Sequence, residues 1–186
     1  MKQRVLHVLA NLGGAGGAER MAVHIALGLN SQRFEPAVVA YSGRYGSDLE
    51  HKLEAAGIKP IVLTPEETAH GAVESYEDAK KCAALFKKHA AEIDGIIITL
   101  PNFGEERGLA DTLRLANLQV PVLIQATPDH AGKMTIAFRR DSFCGKMSIC
   151  NNLKQYGIPY SLTRLHTEAP DSTEFKADLE IGRAHV

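Results

Sequence analysis

The chain has 186 residues, which corresponds to one domain or slightly more at about 150 residues per domain. Its 21 basic and 22 acidic residues give a net charge of −1, so the broad basic surface of a nucleic-acid-binding protein is not expected. The first apolar run is too short for a secretory signal and no later run would span a membrane, so we expect a cytoplasmic protein without a membrane partner.

The residue types that usually ligate metals do not form a recognisable site. The eight histidines are not paired with another His, Asp or Glu at the spacing of a metal-binding motif. Cys82, Cys144 and Cys150 also lack paired spacing, and we expect them to be packed thiols in a reducing compartment. The sequence therefore predicts no metal or cofactor site within this chain.

The first predicted elements are a strand, a glycine-rich loop and a helix. Residues 5–10 are apolar, and Met21, Ile25 and Leu29 mark one face of a helix that ends near Asn30. The loop consists of Gly13, Gly14, Gly16 and Gly17, followed by Glu19 and Arg20. Such a loop aims backbone N–H groups at an anion, and the alternative is a tight turn without a ligand.

A nicotinamide cofactor is disfavoured at this loop. The dinucleotide motif requires a glycine at its sixth position, which is Glu19 when the count starts at Gly14. The next predicted strand, at 36–41, also ends without the acidic residue that binds the ribose.

The middle of the chain predicts a helix at 47–56, a strand at 60–63 and a loop at 64–75. Ser75 then caps a helix at 76–92, and Asp78 completes a capping box. The predicted buried stripe of this helix consists of Tyr76, Ala79, Cys82 or Ala83, Phe86 and Ala90.

The clearest pattern begins at residue 95. Residues 95–100 are apolar without alternation, which is typical of a central strand covered by helices on both faces. The elements predicted after it are a helix from 105, a strand at 120–126, a loop at 139–145, a helix at 146–156, a strand at 159–166 and a helix from 172. This alternation predicts an α/β fold with a mostly parallel, Rossmann-like or flavodoxin-like sheet of five or six strands flanked by helices.

Ligands of such sheets bind at the carboxyl ends of the strands. The residues predicted at these ends are Asn102, Phe103, Gln125, Thr127 and Asp129. The loop before the 146–156 helix adds Arg139, Arg140, Asp141 and Ser142. Two guanidinium groups and a carboxylate suit ligand hydroxyls or a neighbouring subunit, and the alternative is an ion-paired loop.

Two long blocks, NFGEERGLADTLRLANLQVPVLIQA and RRDSFCGKMSICNNL, resemble the amino-terminal region of the L-fucose and L-arabinose isomerase family. The resemblance extends from about residue 64 to 179. It implies a sugar substrate, a homo-oligomeric parent enzyme and aldose–ketose isomerisation. It also implies a divalent metal, manganese, held by Glu, Asp and His ligands in a carboxyl-terminal domain that this chain does not reach.

A different resemblance covers about residues 1–63. The sequence RVLHVLANLGGAGGAERMAVHIALGLN and the later RFEPAVVAYSG resemble the start of family 4 glycosyltransferases. By this resemblance the glycine loop and the following Glu19 and Arg20 line a cleft, and the parent enzyme uses a nucleotide-sugar donor. Its diphosphate-binding glutamates lie in a second half that is also absent.

We therefore divide the chain into a glycosyltransferase-like βαβ fragment at 1–63, an isomerase-like amino-terminal α/β domain at 64–179 and a tail at 180–186. The junction lies between 53 and 67, and the tail can be encoded by DNA that resembles a sequencing adapter. The expected function is that of a sugar-isomerase fragment, inactive as written. The alternatives are a glycosyltransferase fragment and a non-catalytic product of sequence assembly.

Overall fold

The computed structural model describes residues 2–9, 17–40, 48–58, 60–64, 66–69 and 73–181. Their strands are β1 Gln3–Leu9, β2 Phe34–Ala40, β3 Pro60–Val62, β4 Gly95–Leu100, β5 Val122–Ala126 and β6 Ser161–Leu162. The helices are α1 Gly17–Gly28, α2 Asp48–Ala55, α3 Tyr76–Lys88, α4 Glu106–Ala116, α5 Ser142–Gln155 and α6 Thr173–Ile181, and a 3₁₀ turn covers Ala90–Glu92. No helix in these segments is both long and apolar enough to cross a bilayer.

The six strands form one sheet in the order β3-β2-β1-β4-β5-β6, and every neighbouring pair is parallel. The chain runs outward from β1 to β3, returns to the centre at β4 and runs outward again to β6. This is the doubly wound order, in which the strand order reverses between β1 and β4. The predicted α/β fold with a parallel sheet of five or six strands is confirmed.

Strand β4 is buried on both faces. Ile97 packs with Ile25 of α1 and Phe175 of α6 on one face. Ile96 and Ile98 point into the larger core on the other face, which α3, α4 and α5 cover. An apolar run without alternation is therefore what this position requires, and β4 begins and ends where the sequence predicts.

Helix α3 begins as predicted but is shorter. The Ser75 hydroxyl accepts a hydrogen bond from the Asp78 backbone N–H at 3.2 Å, and Asp78 accepts one from the Ser75 N–H at 3.1 Å. The predicted stripe is wrong at its two ends. Tyr76 is 44% exposed because it lies in the first turn, beneath the Lys80 ammonium. Ala90 is exposed because the helix ends at Lys88.

The predicted boundaries of α5 and β6 are also wrong. Helix α5 begins at Ser142 and not at residue 146, since Ser142 and Gly145 are buried and the Gly145 N–H bonds to the Asp141 carbonyl. Strand β6 has two residues and not eight. The chain after Leu162 leaves the sheet because its side chains and carbonyls bond to Lys146 of α5.

The three cysteines are free thiols in different environments. Cys82 is buried between the sheet and its helices, and burial raises the pKa of its thiol to about 12. Cys150 is half-buried, and burial also raises its pKa. Cys144 is exposed, so its prediction as a packed thiol is wrong. The buried face of α5 passes through Gly145 and Ile149, and Cys144 lies outside that face.

Candidate functional site

The loops that follow β4 and β5 meet at one edge of the sheet, which we call the carboxyl edge. Leu100 pairs with Ala126 at the ends of the two strands, and the Thr127 N–H donates to the Leu100 carbonyl at 3.0 Å. The Phe103 N–H donates to the Arg140 carbonyl at 2.8 Å. Two predicted site segments that are 37 residues apart in sequence are therefore in contact.

Gly145 allows α5 to approach the loop after β4. A Cβ atom at Gly145 would lie 3.0 Å from Glu106 Oε1 and 3.2 Å from the Asn102 carbonyl oxygen. The Glu106 carboxylate is itself fixed, since Oε1 accepts a hydrogen bond from the Gly104 N–H at 2.7 Å. Burial raises the pKa of Glu106. The glycine in the sequence FCGKM is thus explained by close packing of α5 against the loop after β4 and the start of α4.

The long loop between β5 and α5 is fixed at its end by acidic side chains. Asp129 Oδ1 accepts a hydrogen bond from the Arg140 N–H at 2.6 Å. Arg139 and Asp141 form an ion pair at 2.7 Å, and Asp141 has a left-handed φ of 53°. The ion pair of the alternative interpretation is present, and ligand binding by Arg139 and Asp141 stays a prediction. The Arg140 guanidinium takes part in no ion pair with the described residues, and Arg140 is half-buried.

Gln125 and Ser142 lie beneath the surface of the carboxyl edge. Both residues are fully buried. Gln125 Nε2 donates to the Glu168 carbonyl at 2.6 Å. Gln125 Oε1 and Ser142 Oγ have no hydrogen-bond partner among the described residues, and neither do the hydroxyls of Thr99 and Thr127. These four side chains are buried beneath the carboxyl edge, whereas Asn102 and Phe103 are exposed on its surface.

Lys146 is a buried cation that the sequence analysis did not identify. Lys146 Nζ donates to Thr163 Oγ1 at 2.7 Å, to the Leu165 carbonyl at 3.2 Å and to the His166 carbonyl at 3.1 Å. Lys146 is almost completely buried, and burial lowers its pKa. It shares the buried face of α5 with Ile149 and Leu153, so helical spacing from these two residues could have identified it.

Two carboxyl groups lie close to this cation. Glu168 accepts the Leu165 N–H at 2.9 Å through Oε1, and its own N–H donates to the Ala126 carbonyl at 2.9 Å. Asp178 of α6 accepts the Arg164 N–H at 2.6 Å and the Arg164 Nε at 2.5 Å. Burial raises the pKa of Glu168, and the neighbouring Asp178 raises it further. The network fixes residues 163–168 against the ends of β5 and β6.

The outer surface of the carboxyl edge combines aromatic rings with hydrogen-bond donors. Phe103 is 53% exposed, and the Phe143 ring lies 4.8 Å from the His166 ring. Exposed rings and a guanidinium group suit a polar ligand that has apolar C–H faces. Among the described residues, no three His, Cys, Asp or Glu side chains are placed to hold a metal ion.

The glycine loop falls mostly outside the described residues. Gly13, Gly14 and Gly16 belong to that part of the chain, so their prediction as cleft residues stays a prediction. Gly17 is the first residue of α1, and Glu19 and Arg20 follow in the same helix. Strand β1, which precedes the loop, is adjacent to β4 at the reversal of strand order.

The sequence profile of the fucose/sulfoquinovose isomerase N-terminal domain family matches residues 36–181. The chain belongs to this family. The match includes all of α2, β3 and the elements from α3 to α6, so it contains every residue of the carboxyl edge described above. The family match also includes the region of the predicted junction, and the division at residues 53–67 stays a prediction.

Comparisons with solved structures show the fold alone. A short chain dehydrogenase from Mycobacterium smegmatis has a TM-score of 0.51 and 12% identity, covering 97% of this chain and 85% of the dehydrogenase. A glycerol-3-phosphate dehydrogenase from Coxiella burnetii has a TM-score of 0.44 and 13% identity. The aligned region covers 97% of this chain and 50% of that dehydrogenase.

The plant protein UGT2 from Phytolacca americana, solved with UDP-2fluoro-glucose and pterostilbene, has a TM-score of 0.45 and 15% identity. The aligned region covers 68% of this chain and 31% of the UGT2 chain, so this chain spans about a third of the length of UGT2. No curated protein sequence matches the chain described here.

Proposed function

We propose that this chain is part of an aldose–ketose sugar isomerase of the L-fucose or L-arabinose type, and that alone it binds sugar without converting it. The observation that carries the proposal is the family match over residues 36–181. In the parent enzyme a divalent metal, manganese in our proposal, would hold two neighbouring sugar oxygens. By the resemblance to the isomerase family, we infer that its Glu, Asp and His ligands belong to a carboxyl-terminal domain of the parent protein.

The outer surface of the carboxyl edge is our proposed sugar contact. The Phe103 ring offers an apolar face to the C–H groups of a pyranose. Asn102 is exposed beside it, and the Arg140 backbone is hydrogen-bonded to Phe103. The guanidinium of Arg140 would donate to sugar hydroxyls, or to the sulfonate if the substrate is sulfoquinovose. Gln125 and Ser142 would support this surface from below.

Ligand-observed NMR tests the proposal. The chain is titrated with L-fucose, L-arabinose, sulfoquinovose and UDP-glucose, and we expect one of the first three to bind with a Kd of about 1 mM. Arg140→Ala should weaken this binding about tenfold. Lys88→Ala removes an exposed cation from the far end of α3 and should leave the binding unchanged. Binding of UDP-glucose alone would contradict the proposal and favour a glycosyltransferase.

The same sample tests the proposed lack of turnover. Incubation with manganese and L-fucose should give no ketose above a blank that contains only the metal, because the metal ligands are proposed to lie elsewhere. Ketose formation that Arg140→Ala abolishes would show that these residues contain a complete site. The cytoplasmic location and homo-oligomeric assembly of the parent enzyme are further parts of this proposal.

We also propose that the chain is a hybrid whose opening comes from a family 4 glycosyltransferase. The observation that favours this origin is that residues 1–35 lie outside the family match, while residues 4–30 resemble the glycosyltransferase. An acceptor-side glycosyltransferase fragment is accordingly the second candidate function. Sequencing reads across codons 50–70 test the hybrid, because reads that span this region at normal depth would exclude an artificial junction.

A further inference from the structure

A cavity lies at the edge of the sheet opposite the carboxyl edge, where β4 and β5 begin. Its volume is about 520 Å³, and pockets that bind small molecules have about 300–1,000 Å³. Its walls are the loop between α4 and β5 and the loop between α5 and β6. We call this cavity the amino-edge pocket, and the side chains that line it include Arg114, Tyr156, Ile158 and Tyr160.

Backbone hydrogen bonds hold both walls of the amino-edge pocket in place. The Ile96 N–H donates to the Pro121 carbonyl at 2.9 Å, which joins the first wall to the start of β4. In the second wall the Ile158 N–H donates to the Leu153 carbonyl at 2.9 Å. The pocket is therefore formed before a ligand enters, and a preformed site binds its ligand at a lower cost in ordering.

Polar side chains of the pocket already bond to other protein groups. Gln119 has a left-handed φ of 56°, and its Nε2 donates to Asn117 Oδ1 at 2.5 Å. The Tyr156 hydroxyl donates to Asp111 Oδ1 at 2.8 Å. A sugar would lose more hydrogen bonds to water here than the pocket replaces. A planar apolar ring instead gains contacts with the rings of Tyr156 and Tyr160.

The charge of the pocket favours an anionic ligand. All the residues that line it are described, and Arg114 is the single one with a charged side chain. Its guanidinium carbon lies 4.4 Å from the centre of the Tyr156 ring, and its Nη2 lies 3.4 Å from Asp111 Oδ1. Asp111 Oδ2 also lies 3.9 Å from Arg107 Nε, so two guanidinium groups share one carboxylate and a net positive charge remains. A guanidinium binds a carboxylate through two parallel hydrogen bonds.

We propose that the amino-edge pocket binds an aromatic monocarboxylate, whose ring lies against Tyr156 and Tyr160 and whose carboxylate pairs with Arg114. The five residues of β5, at about 3.3 Å each, separate this pocket from the carboxyl edge. The site is therefore distinct from the proposed sugar contact. The proposal does not rest on the sugar-isomerase function, and either can fail without the other.

NMR titration of the isotope-labelled chain with cinnamate tests the proposal, and cinnamamide is the neutral analogue of nearly the same shape. We expect cinnamate to bind with a Kd of about 1 mM and cinnamamide to bind about tenfold more weakly. The backbone amide signals of residues 116–122 and 156–161 should shift on binding. Those of residues 102–104, at the carboxyl edge, should not.

A pair of arginine variants tests the role of the charge. Arg114→Met keeps an unbranched side chain next to Tyr156, so it should weaken cinnamate about tenfold and leave cinnamamide unchanged. Arg107→Met is the matched control, because Arg107 lies near the same carboxylate but does not line the pocket. It should leave both dissociation constants unchanged.

Four results would overturn the proposal. They are the absence of cinnamate binding at about 10 mM, signal shifts confined to the carboxyl edge, equal affinity of the wild type for cinnamate and cinnamamide, and equal affinity of the wild type and Arg114→Met for cinnamate. The comparison of the two ligands uses the wild type alone, so it decides the matter even if Arg114→Met does not fold.

Discussion

Replacing Lys146 by methionine tests whether the buried network stabilises the carboxyl edge. Methionine retains an unbranched apolar side chain of similar length, so the change removes mainly the ammonium group. In the folded protein this group donates to Thr163 Oγ1, the Leu165 carbonyl and the His166 carbonyl. The variant therefore removes three donors from the segment that follows β6.

The expected loss of stability follows from what these acceptors retain. The Thr163 hydroxyl still donates to the Leu165 carbonyl at 3.0 Å, so the carbonyl of His166 loses its donor while that of Leu165 keeps one. Hydrogen bonds to charged groups contribute about 1.5–3 kcal/mol each. Because the ammonium no longer has to be desolvated, part of this loss is offset. We expect Lys146→Met to lower the free energy of unfolding by about 2 kcal/mol.

Urea denaturation at neutral pH, followed by far-ultraviolet circular dichroism, measures this change. The urea concentration at the unfolding midpoint should fall. The slope of the unfolding free energy against urea concentration should stay constant, since the surface exposed on unfolding is unchanged. Lys154→Met is the matched control because Lys154 lies on the same helix and is exposed. Its effect should be within about 0.5 kcal/mol. If the two variants had equal stability, the network would contribute nothing and the reasoning would be refuted.

Two further predictions concern the same edge. Burial and Asp178 raise the pKa of Glu168, so its stabilising contribution is present below the unfolded pKa and is lost as pH rises through the folded pKa. Glu168→Gln should remove this part of the pH dependence in urea titrations between pH 4 and 8, and a wild-type profile in the variant would contradict the shift. Gly145→Ala should cost about 1–3 kcal/mol of unfolding free energy, because the new methyl group meets Glu106 Oε1 and a backbone carbonyl. Gly132→Ala has ordinary contacts and is the control, so equal effects would mean that α5 and the loop after β4 separate easily.

Local sequence patterns predict the fold well because burial and capping leave direct signals. The run from Gly95 to Leu100 has no polar alternation, and the structure places it between two helical layers. Ser75 and Asp78 are spaced as a capping box, and the box forms. In these segments the local preference and the tertiary environment favour the same structure.

The candidate site is less predictable because contacts between distant segments determine it. Helix α5 begins at Ser142, and its first turn packs through Gly145 against the loop after β4, a contact that local sequence does not show. Strand β6 is short because Lys146 bonds to the segment that follows it. The general rule for strand ends selected Gln125, but it could not show that the Gln125 side chain is buried beneath Glu168.

The position of β1 bears on the origin of the chain. The family match starts at residue 36, yet β1 lies between β2 and β4, which both belong to the match apart from the first two residues of β2. Arg4 of β1 forms an ion pair with Asp94 at 2.8 Å, and the Asp94 N–H donates to the Arg4 carbonyl at 2.7 Å. Without β1, strand β4 would be an edge strand with apolar side chains and with backbone N–H and C=O groups unpaired on one side, which favours aggregation. Strand β1 therefore completes the sheet that carries the carboxyl edge, whichever family it comes from.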